Sequence, residues 1–210
     1  MNINNKKVTE KFDDLWKDIE KPSKIGNIIF TSSENKAIAI IKKHISNDMK
    51  IIDVGCGTGR TLELFRKKGL YNSIGIDSST NSIKICQSKG FKINKDVFII
   101  DVLKNDYKNG EFDIVFSEGL LEHFEDFSYI VKEFCRISKK YVIIMQPNHF
   151  SYFKWIKKIY YKIFPENVVK ELTYSKEDFN KEFSANKFKL KEAHNTILNA
   201  FWILLYEKVK

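Results

Sequence analysis

The segment MKIIDVGCGTGR, Met49 to Arg60, joins a short apolar run to a loop with glycine at every second position. Ile51, Ile52 and Val54 are β-formers without polar alternation, as in a strand buried on both faces of a parallel sheet. Gly55, Gly57 and Gly59 lack Cβ atoms, so the chain can turn sharply there and lie close against a ligand. From Arg60 onward no helix breaker intervenes before Gly69, which predicts a helix starting directly after the loop and stopping at that glycine. The spacing excludes two common phosphate cradles. A dinucleotide fingerprint, G-x-G-x-x-G/A, would need a small residue where Arg60 stands, and a phosphate loop would end in Gly-Lys-Ser/Thr. What remains is D-x-G-x-G-x-G, with the carboxylate of Asp53 two residues ahead of the first glycine, a charge that suits a cation and repels a pyrophosphate.

The chain on either side repeats the strand-then-helix pattern. Ser33 is a candidate cap for a helix whose Ala37, Ile38, Ile41 and Ile45 face inward while Lys36, Lys42 and Lys43 stay in water. Ser73 to Asp77, SIGID, reads as a second strand ending in a carboxylate, followed by Ser78 and by a helix opened by Ser79 or Thr80 and closed at Gly90. Asp96 to Val102, DVFIIDV, reads as a third strand. Asn105 to Gly110 is a polar turn too short for a crossover helix, and Phe112 to Ser117 forms a fourth strand. The stripe Phe127, Ile130, Val131, Phe134 and Ile137 has helical spacing, and Tyr141 to Met145 is a fifth buried strand. Ser175 and Asp178 are spaced as a capping box. Asn199 to Val209 is apolar on both faces, as in a buried final strand.

Asp53 with the three glycines, Asp77 downstream, and the run F-D-I-V-x-S-x-G-x-L-E-H-F from Phe112 together resemble the class I S-adenosylmethionine-dependent methyltransferases. The likeness is to their small-molecule, ubiquinone-biosynthesis-like group, and it spans about residues 33 to 210. It implies an α/β, doubly wound, mostly parallel seven-stranded sheet with an antiparallel last strand, in a single domain. Residues 1–32 would be an N-terminal helical extension, and 148–185 a lid or acceptor-side insertion. It further implies S-adenosyl-L-methionine as cofactor, with S-adenosyl-L-homocysteine as product. Asp53 would face the ammonium, and Gly55, Cys56, Gly57, Thr58 and Gly59 would pass along the methionyl part. Asp77, 24 positions after Asp53 and followed by Ser78, would take the ribose hydroxyls. Asp101 and Val102 would meet the adenine, with Ser117 at the end of the fourth strand. His123 is the candidate general base for a hydroxyl acceptor, ahead of Glu118 and Glu122. The family's A-G-F turn before the sixth strand is Asn186-Lys187-Phe188 here, where Asn186 is the candidate for a left-handed backbone.

Composition narrows the partners. At 210 residues, 43% hydrophobic and 30% charged, the chain reads as one globular domain. The net charge of +9 raises nucleic acid as a substrate, but only three of the 36 basic residues are arginines, and base readout leans on arginine's bidentate fork. Amino-methyltransferases of DNA and RNA also carry a D/N-P-P-Y/F motif where this chain has no proline. A small-molecule acceptor is therefore the first reading, with an RNA or protein acceptor, or a catalytically silent cofactor-binding module, as alternatives. Cys56, Cys86 and Cys135 form no C-x-x-C pair and the four histidines are scattered, which predicts no metal site and a reduced, cytoplasmic setting. Two further segments are amphipathic. Val8, Phe12, Leu15, Trp16 and Ile19 lie on one helical face, ended by Pro22 and Gly26. From Phe150 to Phe164 aromatics interleave with lysines, which suits an acceptor-side lid, a peripheral membrane contact or plain packing.

Overall fold

The structure is a computed structural model that describes residues 24–46, 48–151 and 172–209. The expected helix over Val8 to Ile19 and most of the Phe150 to Phe164 segment lie outside the described residues. Twelve regular elements follow in order: α1 (Lys24–His44), β1 (Ile51–Val54), α2 (Arg60–Lys67), β2 (Ser73–Asp77), α3 (Thr80–Ser88), β3 (Val97–Ile99), β4 (Phe112–Glu118), α4 (Ser128–Ile137), β5 (Ser138–Pro147), α5 (Lys176–Ala185), β6 (Phe188–Asn195) and β7 (Phe201–Lys208).

The strands make one seven-stranded sheet in the order β3-β2-β1-β4-β5-β7-β6. β1 to β5 pair in parallel, while β7 inserts antiparallel between β5 and β6. Alternate residues of each central strand feed opposite layers, as a two-residue period requires. Ile51, Phe116, Ile143, Met145 and Ile203 pack with α1, α2 and α3. Ile52, Val54, Val115, Ile144 and Leu204 pack with α4 and α5. All four residues of β1 are buried, which explains why its sequence is a continuous apolar run interrupted only by Asp53.

Several local expectations change. Ser33 does not cap a helix: α1 begins at Lys24 and carries Gly26 within it, and the buried Ser33 hydroxyl donates back to the Ile29 carbonyl at 2.7 Å. The third strand is three residues rather than seven, because Asp101 accepts from the Leu103 amide and turns the chain into a 3-10 turn at Val102–Lys104. The fifth strand is longer than its apolar core, since β7 pairs along it from Tyr141 to Pro147. At the turn before β6 the left-handed residue is Lys187 (φ 62°), not Asn186, whose φ is −102°. The capping box is present in both halves: Ser175 accepts from the Asp178 amide and Asp178 accepts from the Ser175 amide.

Two substitutions measure these constraints. At Gly75 a Cβ would come within 2.5 Å of Leu62 and 2.8 Å of the Cys56 sulfur, so Gly75→Ala should destabilise by about 1–3 kcal/mol through overpacking. Ser175→Ala should cost about 1 kcal/mol from the lost cap. Urea denaturation of both variants reads these values, and an unchanged midpoint for Gly75→Ala would mean that α2 is not seated against β2 as described.

Candidate active site

The winding reverses between β1 and β4: from β1 the chain moves outward through β2 and β3, then returns to lay β4 and β5 on the other side. The carboxyl ends of strands on either side of such a reversal part to leave a crevice, where open α/β sheets bind ligands. The glycine loop crosses this point. Gly55, Gly57 and Gly59 all have positive φ, at 74°, 50° and 74°. A Cβ on Gly59 would lie 2.9 Å from the Cys86 sulfur, so glycine there also lets α3 pack under the loop.

Asp77, at the end of β2, fixes the loop from the side. Its carboxylate accepts from the Gly57 amide at 2.9 Å and from the Ser79 amide at 2.8 Å. Ser79 in turn caps α3 by accepting from Ser82. Thr58 and Ser78 lie half-buried on either side of this clasp. Cys56 does not turn its side chain to the crevice: its thiol is buried against Gly75 in the layer under the loop, so only its backbone faces outward. Asp101, next along the edge, accepts from Leu103 and lies 3.7 Å from Lys104, with Val102 buried behind it. Ser117 is fully buried, and its hydroxyl donates to the Val54 carbonyl at 2.8 Å. It braces β4 against the end of β1 and presents no group to the crevice.

On the opposite side of the loop lies a group of charges whose contacts with one another the spacing argument did not find. Glu34 of α1 accepts from the Arg60 Nε at 2.6 Å, and Thr61 donates to Glu118 of β4 at 2.8 Å, with Glu34 3.5 Å from the same hydroxyl. Burial first, and then the charge of Glu34, push the Glu118 carboxyl up to about 7 against the opposing pull of Arg60 and Thr61. Burial likewise raises Glu34. Asp53 is 2% exposed, and burial, reinforced by Glu118 and Asp77, holds it well above the usual carboxylate range. Asp53 is thus enclosed behind the loop, and Glu34 and Glu118 are the carboxylates that border it. Glu34 was legible in principle: positions 34, 37, 38 and 41 share one helical face, and a carboxylate on an inward stripe is a signal of pairing.

Beyond β4 a 3-10 turn, Leu121–His123, forms the rim. His123 stands there with its Nε2 3.9 Å from Glu122. The Glu122 carbonyl accepts from the Leu172 amide at 2.8 Å. After β5, Asn148 donates to the Ala200 and Asn199 carbonyls ahead of β7. Gln146, the last inward residue of β5 on the Val142 and Ile144 face, is 1% exposed, and neither atom of its amide has a hydrogen-bond partner among the described residues. It too was missed, although its place two residues after Ile144 marked it as inward. Among the described residues no cluster of three or more metal-ligating side chains occurs, and no helix is long and apolar enough to cross a membrane.

Comparisons with known proteins agree with this arrangement. Residues 52–145 match a family described as a methyltransferase domain. The ubiquinone biosynthesis O-methyltransferase of Pelagibacter ubique is 28% identical over 156 residues, covering 67% of this chain and 63% of that protein. Ajmaline N-methyltransferase of Rauvolfia serpentina is 30% identical over 103 residues, 47% of this chain and 35% of that protein. The chain therefore spans less than two thirds of the length of either curated relative. Among solved structures, magnesium protoporphyrin IX methyltransferase from Synechocystis with bound S-adenosylhomocysteine has a TM-score of 0.72 at 16% identity, over 98% of this chain and 99% of that one. That likeness carries the fold, and the sequence match falls on the strands and loops that build the crevice. The matched segment runs from β1 into β5, and over it this chain is similar to a methyltransferase domain.

Proposed function

We propose that the chain transfers a methyl group from S-adenosylmethionine to a small-molecule acceptor. The observation that carries this reading is the clasp between Asp77 and the glycine loop. The Asp77 carboxylate stands at the end of β2, held by two backbone amides, beside a loop whose positive-φ glycines let a ligand approach the main chain. A carboxylate fixed in that position suits two neighbouring ribose hydroxyls, both of them hydrogen-bond donors. The residues also fit the remaining parts of the cofactor: an acidic wall of Asp53, Glu34 and Glu118 beside its cationic end, and Asp101 with Val102 one strand further out for the base.

The cofactor, when bound, supplies the activated methyl. The chain's own contribution is to hold donor and acceptor in line, which is worth several kcal/mol of barrier by positioning alone. A base is required only where the acceptor keeps its proton at neutral pH. His123 fills that role in this reading, placed on the rim after β4 with Glu122 beside it. The matched relatives act as O- and N-methyltransferases by name, so hydroxyl and amine acceptors both belong in a test panel. Within the 148–185 insertion Leu172 bonds the Glu122 carbonyl beside His123, which supports a role for that segment in choosing the acceptor.

Three outcomes are expected. Calorimetry should detect binding of S-adenosylmethionine and S-adenosylhomocysteine, whereas NAD and ATP bind at least a hundredfold more weakly; tight NAD binding without a response to the sulfur ligands would reject the assignment. Asp77→Ala should weaken S-adenosylhomocysteine by about 2 kcal/mol or more through loss of charged hydrogen bonds, and unchanged affinity in a folded variant would reduce Asp77 to a loop clasp. His123→Ala should lower turnover of hydroxyl acceptors by about 10²–10⁴-fold while sparing cofactor affinity; equal turnover in both proteins would remove His123 from the chemistry.

A further inference from the structure

Two of the cysteines lie together beneath the glycine loop. Cys56 belongs to the loop and Cys86 to α3, and both sulfurs approach one atom, the Gly57 carbonyl oxygen, at 3.8 Å and 3.3 Å. Glycines leave room for them: a Cβ on Gly59 would stand 2.9 Å from the Cys86 sulfur, and one on Gly75 would stand 2.8 Å from that of Cys56. Both thiols are free and buried. The hydrogen bond between them is the leading influence on each, pushing Cys56 up and Cys86 down, and the ammonium of Lys89 adds to the downward pull on Cys86. Lys89 is held over the loop by the Thr58 carbonyl, to which it donates at 2.9 Å. Cys135 is the contrast. It packs in the opposite layer, and burial pushes its thiol up to about 12.

A buried thiol is by itself an ordinary small hydrophobe. This pair differs because the sulfurs meet across the backbone of the ligand loop and are split in acidity, one inclined to attack and the other to resolve. We infer that Cys56 and Cys86 form a modification site, closing to a disulfide under hydrogen peroxide and so taking the glycine loop out of its ligand-binding conformation. The effect on binding rests on the cofactor reading given above; formation of the bond does not.

The chemistry runs in two displacements. The Cys86 thiolate attacks one oxygen of the peroxide, the O–O bond breaks, and the departing hydroxide takes a proton to leave as water, with a sulfenic acid left on Cys86. Cys56 gives up its proton as its sulfur attacks that of Cys86. The S–S bond forms, the S–O bond breaks, and a second water leaves. Two thiols are oxidised to one disulfide while one peroxide is reduced to two waters. Gly57 carries the consequence to the crevice. Its carbonyl loses both S–H donors and α3 becomes covalently tied to the loop, while its amide is the group that donates to Asp77 at 2.9 Å. Binding and oxidation are then reciprocally linked. Whatever factor the disulfide takes from ligand affinity, bound ligand takes from the thiol–disulfide equilibrium, a tenfold factor being about 30 mV.

The test uses the full chain with its thiols reduced, treated with an excess of hydrogen peroxide. Mass spectrometry should find the chain lighter by two hydrogen atoms, with the peptides of Cys56 and Cys86 joined and Cys135 still a thiol. Calorimetry should show S-adenosylhomocysteine bound at least tenfold more weakly after oxidation, with affinity restored by dithiothreitol. In a glutathione redox buffer, saturating S-adenosylhomocysteine should raise the potential of the pair by about 30 mV or more. Cys135→Ser should respond as the wild type does, whereas Cys86→Ser should lose both the joined peptides and the response; the wild-type map and potential decide the matter without that variant if it fails to fold. Peroxide that leaves Cys56 and Cys86 unjoined, or joins either to Cys135, overturns the site. A bond that forms with no change in affinity or potential overturns its hold on the loop. If the reduced protein binds no S-adenosylhomocysteine, the cofactor reading falls, and the peptide map still decides for or against the cysteine pair.

Discussion

The clasp of Asp77 across the glycine loop is the constraint on which the rest of the crevice depends. A loop with three positive-φ glycines has many accessible conformations in the unfolded chain, and ordering it carries an entropy cost that its own contacts do little to offset. Two backbone amides directed at one carboxylate supply charge-assisted bonds at this point. The same carboxylate positions Ser79, and through it the first turn of α3. β1, β2 and α3 are thus tied through a single side chain, and the tie lies beside the place where strand order reverses.

Electrostatics on the two sides of the loop differ in kind. Asp77 is held by backbone dipoles that do not titrate. The opposite wall sets Glu34, Glu118 and Asp53 against Arg60, and in each carboxyl burial is the leading cause of the upward shift. Carboxylates deprived of water beside one another cannot all ionise cheaply. The wall is therefore poised to respond to a positive charge.

How far the sequence could be read depended on which forces were local. β1, β2, α3 and the stripe of α4 were legible because periodicity, glycine stops and capping serines act over a few residues, and the structure places them at the expected positions. The antiparallel last strand came with the family likeness rather than from spacing. The errors arose where distant chain overrode local preference. Ser33 reads as a cap, yet the helix runs through it because Ile29, Ala37, Ile38 and Ile41 are all buried on one face. β3 ends early because the Asp101 side chain competes for a backbone amide. Lys187 instead of Asn186 takes the left-handed position because the Asn186 amide donates to the Glu182 carbonyl at 2.9 Å, which holds it at the helix end. In the crevice, the glycine motif and Asp77 were visible in the spacing. Glu34, Thr61 and Gln146 were not sought, since their roles come from contacts between elements remote in sequence.

The placement of β7 bears on the order in which this chain can fold. β7 follows β6 in sequence but lies between β5 and β6 in space, bonded to both along its length. Until residues 201–208 are in place, β5 has an open edge of apolar strand and β6 has no neighbour at all. Tyr206, stacked 3.9 Å from Phe183, likewise cannot seat α5 before then. β6 and the free edge of β5 therefore wait on a segment far downstream of the glycine loop, and the β5–β7 pairing is one of high contact order. A nascent chain that has already formed the crevice would still present that edge to other strands, the kind of surface on which intermolecular association begins.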